Sequence, residues 1–192
     1  MALLDIQLLG SPILRRETEV VRQVTPELRR LADDMFATME AAKGIGLAAP
    51  QVGRSERLCV IEVDDQRFAL INPEIVQREG SVRWEEGCLS IPEVFAEVDR
   101  SARVVVRALD LDGVPFELEG SELLGVCLQH EVDHLHGKLF LDRLSLLKRR
   151  AALKTWERER EKYPSGLRVL PVTDVREGSS ATASVDVVDD DS

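Results

Sequence analysis

Hydrophobic residues in the N-terminal part of the chain recur at spacings of three and four, which place them on one face of an α-helix. Thr25-Pro26 offers a side-chain cap followed by proline at the first helical position. We therefore predict a helix over residues 26–43 that Gly44 ends by adopting a left-handed conformation. Its buried face is expected to comprise Leu28, Leu31, Met35, Met39 and Ala42.

Two further helices are predicted in the second half of the chain. The first covers residues 122–136, with Gly137 placed to cap its C-terminal end. The second covers residues 143–162, where eight basic side chains accompany three glutamates, and Tyr163-Pro164 breaks it. The stripes expected to be buried are Leu124, Cys127, Leu128, Val132 and Leu135 in the first helix and Leu147, Ala151 and Trp156 in the second.

Short runs of β-branched residues between the first two helices predict strands. Residues 58–63 and 68–71 form two such runs, and Asn72-Pro73 is expected to end the second. Residues 104–111 and 114–118 flank Asp112-Gly113, a two-residue signal for a β-hairpin. The expected fold is α+β, with mainly antiparallel strands around a central helix and further N-terminal and C-terminal helices.

Acidic charge is concentrated at the C-terminal end. The formal net charge of −10 argues against DNA binding, since neutralising phosphates requires basic surface. Residues 171–192 hold six acidic residues and one arginine, a net charge of −5, among many small polar residues. We therefore expect one domain over residues 1–166, followed by an acidic, disordered tail over residues 167–192.

Composition also bears on the compartment. Every apolar run is shorter than the ~18–20 residues that cross a bilayer, and the N-terminus lacks the features of a secretory signal. Three cysteines, Cys59, Cys88 and Cys127, are an odd count at wide spacing and do not form a disulfide framework. We expect a monomeric, cytoplasmic protein without membrane contact.

The strongest chemical signal is His130-Glu131-Val132-Asp133-His134 in the second predicted helix. Residues four apart share a helix face, so His130 and His134 can direct two imidazoles at one metal ion. Glu131 can then reach a water on that metal. The alternative is two surface histidines, but Val126 to Gln129 are mostly apolar, which indicates a buried helix.

A catalytic metal site usually has a third protein ligand, and spacing alone leaves its identity open. The candidates are upstream Cys88 and downstream Glu157, Glu159 and Glu161. Residue 140, where one class of metalloprotease has a third histidine, is Phe140. The glutamates lie in a charge-dense helix that favours solvated ion pairs, whereas Cys88 follows Gly87 in a loop that allows close approach. Cys59 is expected in the core and Cys127 in a pocket wall.

Three segments together resemble the peptide deformylase family. They are Gly44-Ile45-Gly46-Leu47-Ala48-Ala49-Pro50-Gln51, Glu86-Gly87-Cys88-Leu89-Ser90 and Gln129-His130-Glu131-Val132-Asp133-His134-Leu135. Each segment alone is a weak signal, but all three in the family's order are highly specific. The resemblance covers roughly residues 5–145 of the chain.

The resemblance implies a role for each matching residue. Cys88, His130 and His134 would be the metal ligands, with ferrous iron as the usual metal and zinc, nickel or cobalt as substitutes. Glu131 would be the catalytic acid–base. The oxyanion donors would be Gln51 and the backbone N–H of Leu89. The peptide cleft would be lined by Ile45, Gly46, Gly87 and Leu89. Its pocket for an unbranched apolar side chain would be lined by Ile45, Trp84, Leu123, Val126 and Cys127. Leu123 and Val126 are equally well explained as part of the helix core.

The function that follows is hydrolysis of the N-formyl group from the N-terminal formylmethionine of newly synthesised polypeptides, with release of formate. Two alternatives remain from the residues alone. A metalloendopeptidase would use a glutamate as third ligand, and a closed structural or redox-sensing metal site would need a fourth protein ligand. The third helix has a net charge of +5 and is expected either to dock on ribosomal RNA or to be simply solvated.

Overall fold

The computed structural model describes residues 1–171, so the predicted acidic tail lies outside the described residues from residue 172 onward. Its fold is α+β, as expected, and the named strands pair antiparallel. In chain order, the elements are β1 (Ile6–Gln7), α1 (Pro26–Ala41), β2 (Gly46–Ala48), β3 (Leu58–Val63), β4 (Gln66–Glu79), β5 (Val82–Cys88), β6 (Ile91–Arg100), β7 (Arg103–Leu109), β8 (Pro115–Ser121), α2 (Glu122–Leu135), α3 (Leu146–Glu159) and β9 (Leu167–Arg168). Short 3-10 helices lie at Pro12–Arg15, Ala49–Val52, Phe140–Arg143 and Arg160–Lys162.

A five-stranded sheet in the order β2-β3-β4-β7-β8 lies between α1 and α2. Successive side chains of a strand point to opposite faces, and β3 uses both faces for the core. Leu58 and Val60 pack in the cluster that contains α1. Cys59, Ile61 and Val63 pack in the cluster that contains α2. This arrangement explains why β3 is almost continuously apolar.

Helix α2 is the most buried of the three α-helices in the described part of the chain, since every residue from Gly125 to Leu135 is buried. Its N-terminal turn lies directly against the end of β8. A Cβ atom on Gly125 would fall 2.8 Å from the backbone oxygen of Gly120, so the close approach requires glycine. The predicted stripe was therefore too narrow, because neighbouring elements cover all sides of this part of the helix.

Strands β5 and β6 form a separate two-stranded sheet. The pair packs against α3 in a third core cluster, which includes Ile91, Val94 and Val98 from β6. Cys88 is the last residue of β5 and pairs with Ile91 at the start of β6, with a register shift between Glu86 and Cys88. The hairpin therefore places the Cys88 loop beside α2.

The prediction that Asn72-Pro73 ends a strand was wrong. Strand β4 continues to Glu79, with a register irregularity between Ile71 and Glu74. Asn72 takes a φ of 52°, and its side-chain amide bonds both the N–H (2.9 Å) and the carbonyl (2.8 Å) of Val21. A proline is tolerated at such a bulge because the ladder there already lacks a regular hydrogen bond.

Two predicted turns differ in detail. Lys43, with a φ of 58°, takes the left-handed conformation expected at Gly44. Gly44 is needed for another reason, since a Cβ atom there would lie 2.7 Å from a methyl carbon of Leu89. Between β7 and β8, Asp110 N–H donates to the Val114 carbonyl at 3.0 Å, so the hairpin loop has three residues and ends at left-handed Gly113.

The predicted third helix is shorter than residues 143–162, because 3-10 turns flank α3 on both sides. Its predicted buried stripe was also wrong at two positions. Leu147 is 77 % exposed and Ala151 is exposed, whereas Ala152 and Trp156 are buried. These two are four residues apart and face β6, so the position of the hairpin selects the buried face.

The folded part of the chain extends beyond the predicted boundary at residue 166. Leu167 and Arg168 of β9 pair with Gln7 and Ile6 of β1. Leu170 is buried in a cluster with Ile6. The boundary was predicted too early because a two-residue strand has no periodicity to read.

None of the described helices combines the length and apolar character needed to cross a bilayer.

Candidate metal centre

Three side chains with metal-ligating atoms meet where α2 passes the end of β5. The Sγ atom of Cys88 lies 3.3 Å from Nε2 of His134, which lies 3.2 Å from Nε2 of His130. The three donor atoms all lie within 4.8 Å of one another. Among residues 1–171, this is the one group of three or more His, Cys, Asp or Glu side chains that converges in this way.

The orientation of His130 is set by a buried carboxylate. Nδ1 of His130 donates to Oε2 of Glu86 at 2.8 Å, which leaves Nε2 of the ring directed at the cluster. Burial favours the neutral form of Glu86, but hydrogen bonds from Arg100 and His130 outweigh it and lower the pKa of Glu86 to about 2. Glu86 is therefore an ionised acceptor at neutral pH.

Arg100 links this carboxylate to the back of α2. Its Nε and Nη2 donate to the two oxygens of Glu86 at 2.6 and 2.8 Å, and its Nη1 donates to Asp133 at 2.5 Å. Arg143 donates to both oxygens of Asp133 at 2.6 Å. The side chain of Arg100 is only 1 % exposed, so its charge must be compensated by these carboxylates. Two acids and two arginines therefore form a neutral network behind the ligands.

The electrostatics of the cluster suit a divalent cation. Burial opposes protonation of His130, yet hydrogen bonds to Cys88 and Glu86 raise the pKa of this imidazole well above its usual range. The surroundings thus favour positive charge at this point. Burial, together with the charge of His130, lowers the pKa of His134 well below its usual range, so a neutral imidazole is available as a ligand. Thiolate and imidazole are donors that Fe, Zn, Ni and Co accept.

Glu131 is buried beside the cluster, with one side against the glycine-rich loop. A Cβ atom on Gly46 would lie 2.3 Å from Oε1 of Glu131, so only glycine leaves room for the carboxyl group. Oε2 of Glu131 is buried and has no hydrogen-bond partner among the described residues. Burial raises the pKa of Glu131 to about 7, although the charge of His130 opposes the shift. Such a carboxyl group can both accept and donate a proton at neutral pH.

Gln51 approaches the cluster from the short 3-10 helix after β2. Its Oε1 accepts a hydrogen bond from the backbone N–H of Ala48 at 2.8 Å, which fixes the amide orientation. Its Nε2 lies 3.5 Å from Sγ of Cys88 and donates to Oγ of Ser90 at 3.2 Å. The NH2 group of Gln51 is therefore held at the edge of the metal cluster.

A cleft of about 480 Å³ opens beside these residues, and it contains all the predicted pocket positions. The predicted residues in its lining are Ile45, Gly46, Gln51, Trp84, Gly87, Cys88, Leu89, Leu123, Val126, Cys127, His130 and Glu131. Phe95 covers Gly87 so closely that a Cβ atom on Gly87 would lie 2.7 Å from the ring. The backbone of the Cys88 loop thus forms one wall of the cleft.

The other third-ligand candidates do not join the cluster. Glu157 lines a groove with Trp156 and Arg160 that shares no residue with the cleft beside the cluster. Phe140 stacks on the ring of His130, with centroids 6.3 Å apart, so it packs against a candidate ligand instead of replacing one. Cys59 is fully buried in the core and Cys127 lines the cleft, as expected.

Sequence reasoning missed the roles of Glu86, Arg100, Asp133 and Arg143. Glu86 and Asp133 stand inside the quoted segments, so their acidic character within buried elements was an available signal. Arg100 and Arg143 gave no local signal, because Arg100 lies on the hairpin and Arg143 in the 3-10 helix Phe140–Arg143, and only tertiary packing brings either one to its partners. Ser90, the partner of Gln51, was missed for the same reason.

Comparison with known proteins shows a consistent similarity. A family model described as polypeptide deformylase matches residues 3–150. A peptide deformylase from Hydrogenovibrio crunogenus is 50% identical over 159 residues, which cover 81% of this chain and 94% of the relative. One from Alkalilimnicola ehrlichii is 49% identical over 162 residues, which cover 82% of this chain and 91% of the relative.

Comparison with solved structures leads to the same family as comparison with protein sequences. The crystal structure of a peptide deformylase from Legionella pneumophila superposes with a TM-score of 0.81 at 44% identity, covering 84% of this chain and 97% of that one. A peptide deformylase from Synechococcus elongatus, crystallised in complex with actinonin, gives a TM-score of 0.77 at 42% identity, covering 79% and 86%. Each matched chain is therefore covered over most of its length.

The Glu86→Gln variant tests the role of the buried carboxylate. We expect metal affinity to fall about 10–100-fold, the usual effect of removing the group that orients a ligating histidine. Affinity is measured by competition with a chelator, and the folded fraction is measured in parallel because Arg100 loses a charged partner. Glu85→Gln, the adjacent exposed residue, is the matched control. Equal affinities for the two variants would show that Glu86 does not support the ligand.

Proposed function

The chain belongs to the peptide deformylase family, and from this premise we propose how its residues divide the work of the reaction. The overall activity is hydrolysis of the N-formyl group from the N-terminal formylmethionine of newly synthesised polypeptides, with release of formate. The observation that carries the proposal is the convergence of Cys88, His130 and His134 beside buried Glu131, at a cleft that Cys88, His130 and Glu131 line. A metalloendopeptidase with a glutamate ligand fits neither this donor set nor the family.

Cys88, His130 and His134 would hold one divalent metal ion. When bound, such an ion supplies a Lewis acid and lowers the pKa of a water molecule. We propose ferrous iron as the natural metal, with zinc, nickel or cobalt as substitutes. The mixed thiolate and imidazole donors support this set of metals and disfavour magnesium or calcium, which prefer oxygen ligands.

Glu131 is proposed to move the proton during hydrolysis. Its unpartnered Oε2 would accept a proton from the attacking water, and the same carboxyl group would return it to the leaving amine. A pKa of about 7 supports both directions of transfer at neutral pH. Only glycine at position 46 leaves room for this carboxyl group, so the glycine-rich loop allows Glu131 to lie beside the cluster.

Gln51 and the backbone N–H of Leu89 are proposed to donate to the formyl oxygen as negative charge develops on it. The hydrogen bond from Ala48 N–H to Gln51 Oε1 supports this role, because it turns the amide NH2 towards the cluster in advance. Removing one donor of this kind typically costs about 3–4 kcal/mol of transition-state stabilisation. The amide is thus aligned by the protein before substrate binds.

The methionine side chain is proposed to lie in the apolar part of the cleft. Ile45 is 42 % exposed there, and Val126 and Cys127 form its floor on α2. Leu123 and Trp84 would complete the pocket. An unbranched thioether side chain suits a pocket with apolar walls.

We also propose that the protein docks on the ribosome, is a monomer and is located in the cytoplasm. Helix α3 exposes Leu146 and Leu147 beside cations that face solvent, which supports contact with an RNA surface. Combined Arg150→Glu, Lys154→Glu and Arg158→Glu changes are expected to abolish co-sedimentation with ribosomes without affecting hydrolysis of short peptides. Unchanged co-sedimentation would exclude α3 as the contact.

We further propose that the catalytic domain includes residues 1–170.

Formate release tests the assignment of Glu131 directly. Under anaerobic conditions, the wild type is expected to release formate from a formyl-Met peptide, and Glu131→Gln to be about 10²–10⁴-fold slower in kcat, the usual contribution of a general acid–base. Glu157→Gln on exposed α3 is the control and should retain full activity. An inactive wild type with bound iron would contradict the function, whereas an active Glu131→Gln variant would contradict the role of the carboxylate.

Air sensitivity tests the proposal of iron. A thiolate-bound ferrous site is vulnerable to oxidation at the metal and at Cys88, so we expect rapid loss of activity in air. A reductant should slow the loss, and replacement by nickel should largely remove it. Half-lives are measured with and without oxygen at equal metal content. Equal half-lives for the iron-loaded enzyme would be evidence against iron as the natural metal.

A further inference from the structure

The C-terminal strand β9 contributes a charged side chain to the metal cleft. Arg168 lines this cleft together with residues of the glycine-rich loop and of the Cys88 loop. Its position lies beyond residues 3–150, which the family model matches. Arg168 therefore lies outside the part of the chain that the family model matches.

Strand pairing and apolar packing hold Arg168 in place. Its backbone pairs with Ile6 in β1, and Leu170, two residues later, is buried with Ile6 and Ala42 and touches partly buried Leu89. Nη2 of Arg168 donates to the carbonyl oxygen of Ala42 at 3.4 Å. The side chain is thus directed along the wall that leads from Ala42 to the glycine-rich loop.

Within residues 1–171, the guanidinium of Arg168 forms one hydrogen bond, to Ala42, and no ion pair with a carboxylate, so most of its N–H groups are unused by this part of the chain. Lys43, which is exposed in the same wall, likewise has no carboxylate partner in this range. Two cations therefore border the same part of the cleft, where they attract negative charge.

Other parts of the lining carry carboxylates. Glu86 is held by Arg100, and Glu131 is buried, so neither offers charge to the open cleft. Glu85 and Glu93 are exposed on the β5–β6 hairpin. The cleft therefore has a cationic wall and a partly acidic hairpin wall, and an extended peptide would meet different charges on its two sides.

We propose that Arg168 is a specificity residue that binds the carboxylate of an acidic side chain in the substrate beyond its first residue. The inference rests on the proposed function. A guanidinium presents a planar fork that matches a carboxylate, and a half-buried wall screens the pair less than open water does. Three residues after methionine span about 10 Å in extended form, so the second, third or fourth side chain can lie beside Arg168.

The test compares peptides that differ only in charge. Formyl-Met-Ala-Ala-Ala-amide is modified by placing Glu or its neutral isostere Gln at the second, third or fourth position in turn. The measured quantity is the ratio of kcat/KM for the Glu peptide to that for the Gln peptide at each position. Wild type is compared with Arg168→Gln and Arg168→Lys, and with Arg158→Gln on exposed α3 as the matched control.

At one of the three positions, Arg168→Gln should lower this ratio about threefold, the size expected for a partly exposed charge pair. The change should appear in KM, and it should shrink at high ionic strength because salt screens the pair. Arg168→Lys retains the positive charge and should keep most of the ratio. Arg158→Gln should match the wild type.

Three results would overturn the inference. They are an unchanged ratio in Arg168→Gln at all positions, an equal loss of activity with Glu and Gln peptides, and a ratio in Arg168→Lys as low as in Arg168→Gln. The second would show that Arg168 only supports the wall through its bond to Ala42. If the wild type released no formate from any of the peptides, the function itself would fail, which is distinguishable from a failure of charge selection alone.

Discussion

The metal cluster depends on one buried carboxylate. Glu86 accepts a hydrogen bond from Nδ1 of His130 on α2 and two from Arg100 on β6. Because an uncompensated buried charge costs several kcal/mol, the three side chains are stable only together. The hydrogen bond to His130 fixes the rotation of a candidate ligand ring and ties the hairpin that carries Cys88 to the helix that carries both histidines. Arg100 adds a second link between the hairpin and this helix, because its Nη1 donates to Asp133.

Helix α2 serves two purposes on two sides. One side presents His130 and His134 to the cluster of donor atoms that includes Cys88. On another side, Arg100 and Arg143 anchor Asp133. Residues Gly125 to Leu135 can be fully buried although many of them are polar, because nearly all of their polar side chains have hydrogen-bond partners. Within residues 1–171, the exceptions are Oε2 of Glu131 and Nδ1 of His134, the ring nitrogen that does not face Cys88 and His130. Glu131 thus keeps one unpaired carboxyl oxygen beside the cluster of donor atoms.

Local sequence patterns predicted the elements well wherever one face or one cap decided the structure. Thr25 caps α1 as expected, accepting from the N–H of Leu28 at 3.3 Å, and β3 spans the predicted residues. The predictions of secondary structure and burial were wrong where contacts between residues distant in the chain override the conformational preference of the local sequence. Asn72 bonds Val21 and lets β4 pass through a proline. Packing against β6 determines which side of α3 is buried. The spacing of the few apolar residues in α3 does not specify that side.

The sequence by itself determined the family, the spacing of His130 and His134 on one helix face, and the presence of Cys88 in a glycine-flanked loop. These features are local, because helix geometry alone brings residues four apart together. Only the tertiary structure decided that Glu86 orients His130, that Gly46 makes room for Glu131, and that Arg168 reaches the cleft from β9. Each of these contacts joins segments distant in the chain, and packing and strand pairing set such contacts without a periodic signal in the sequence.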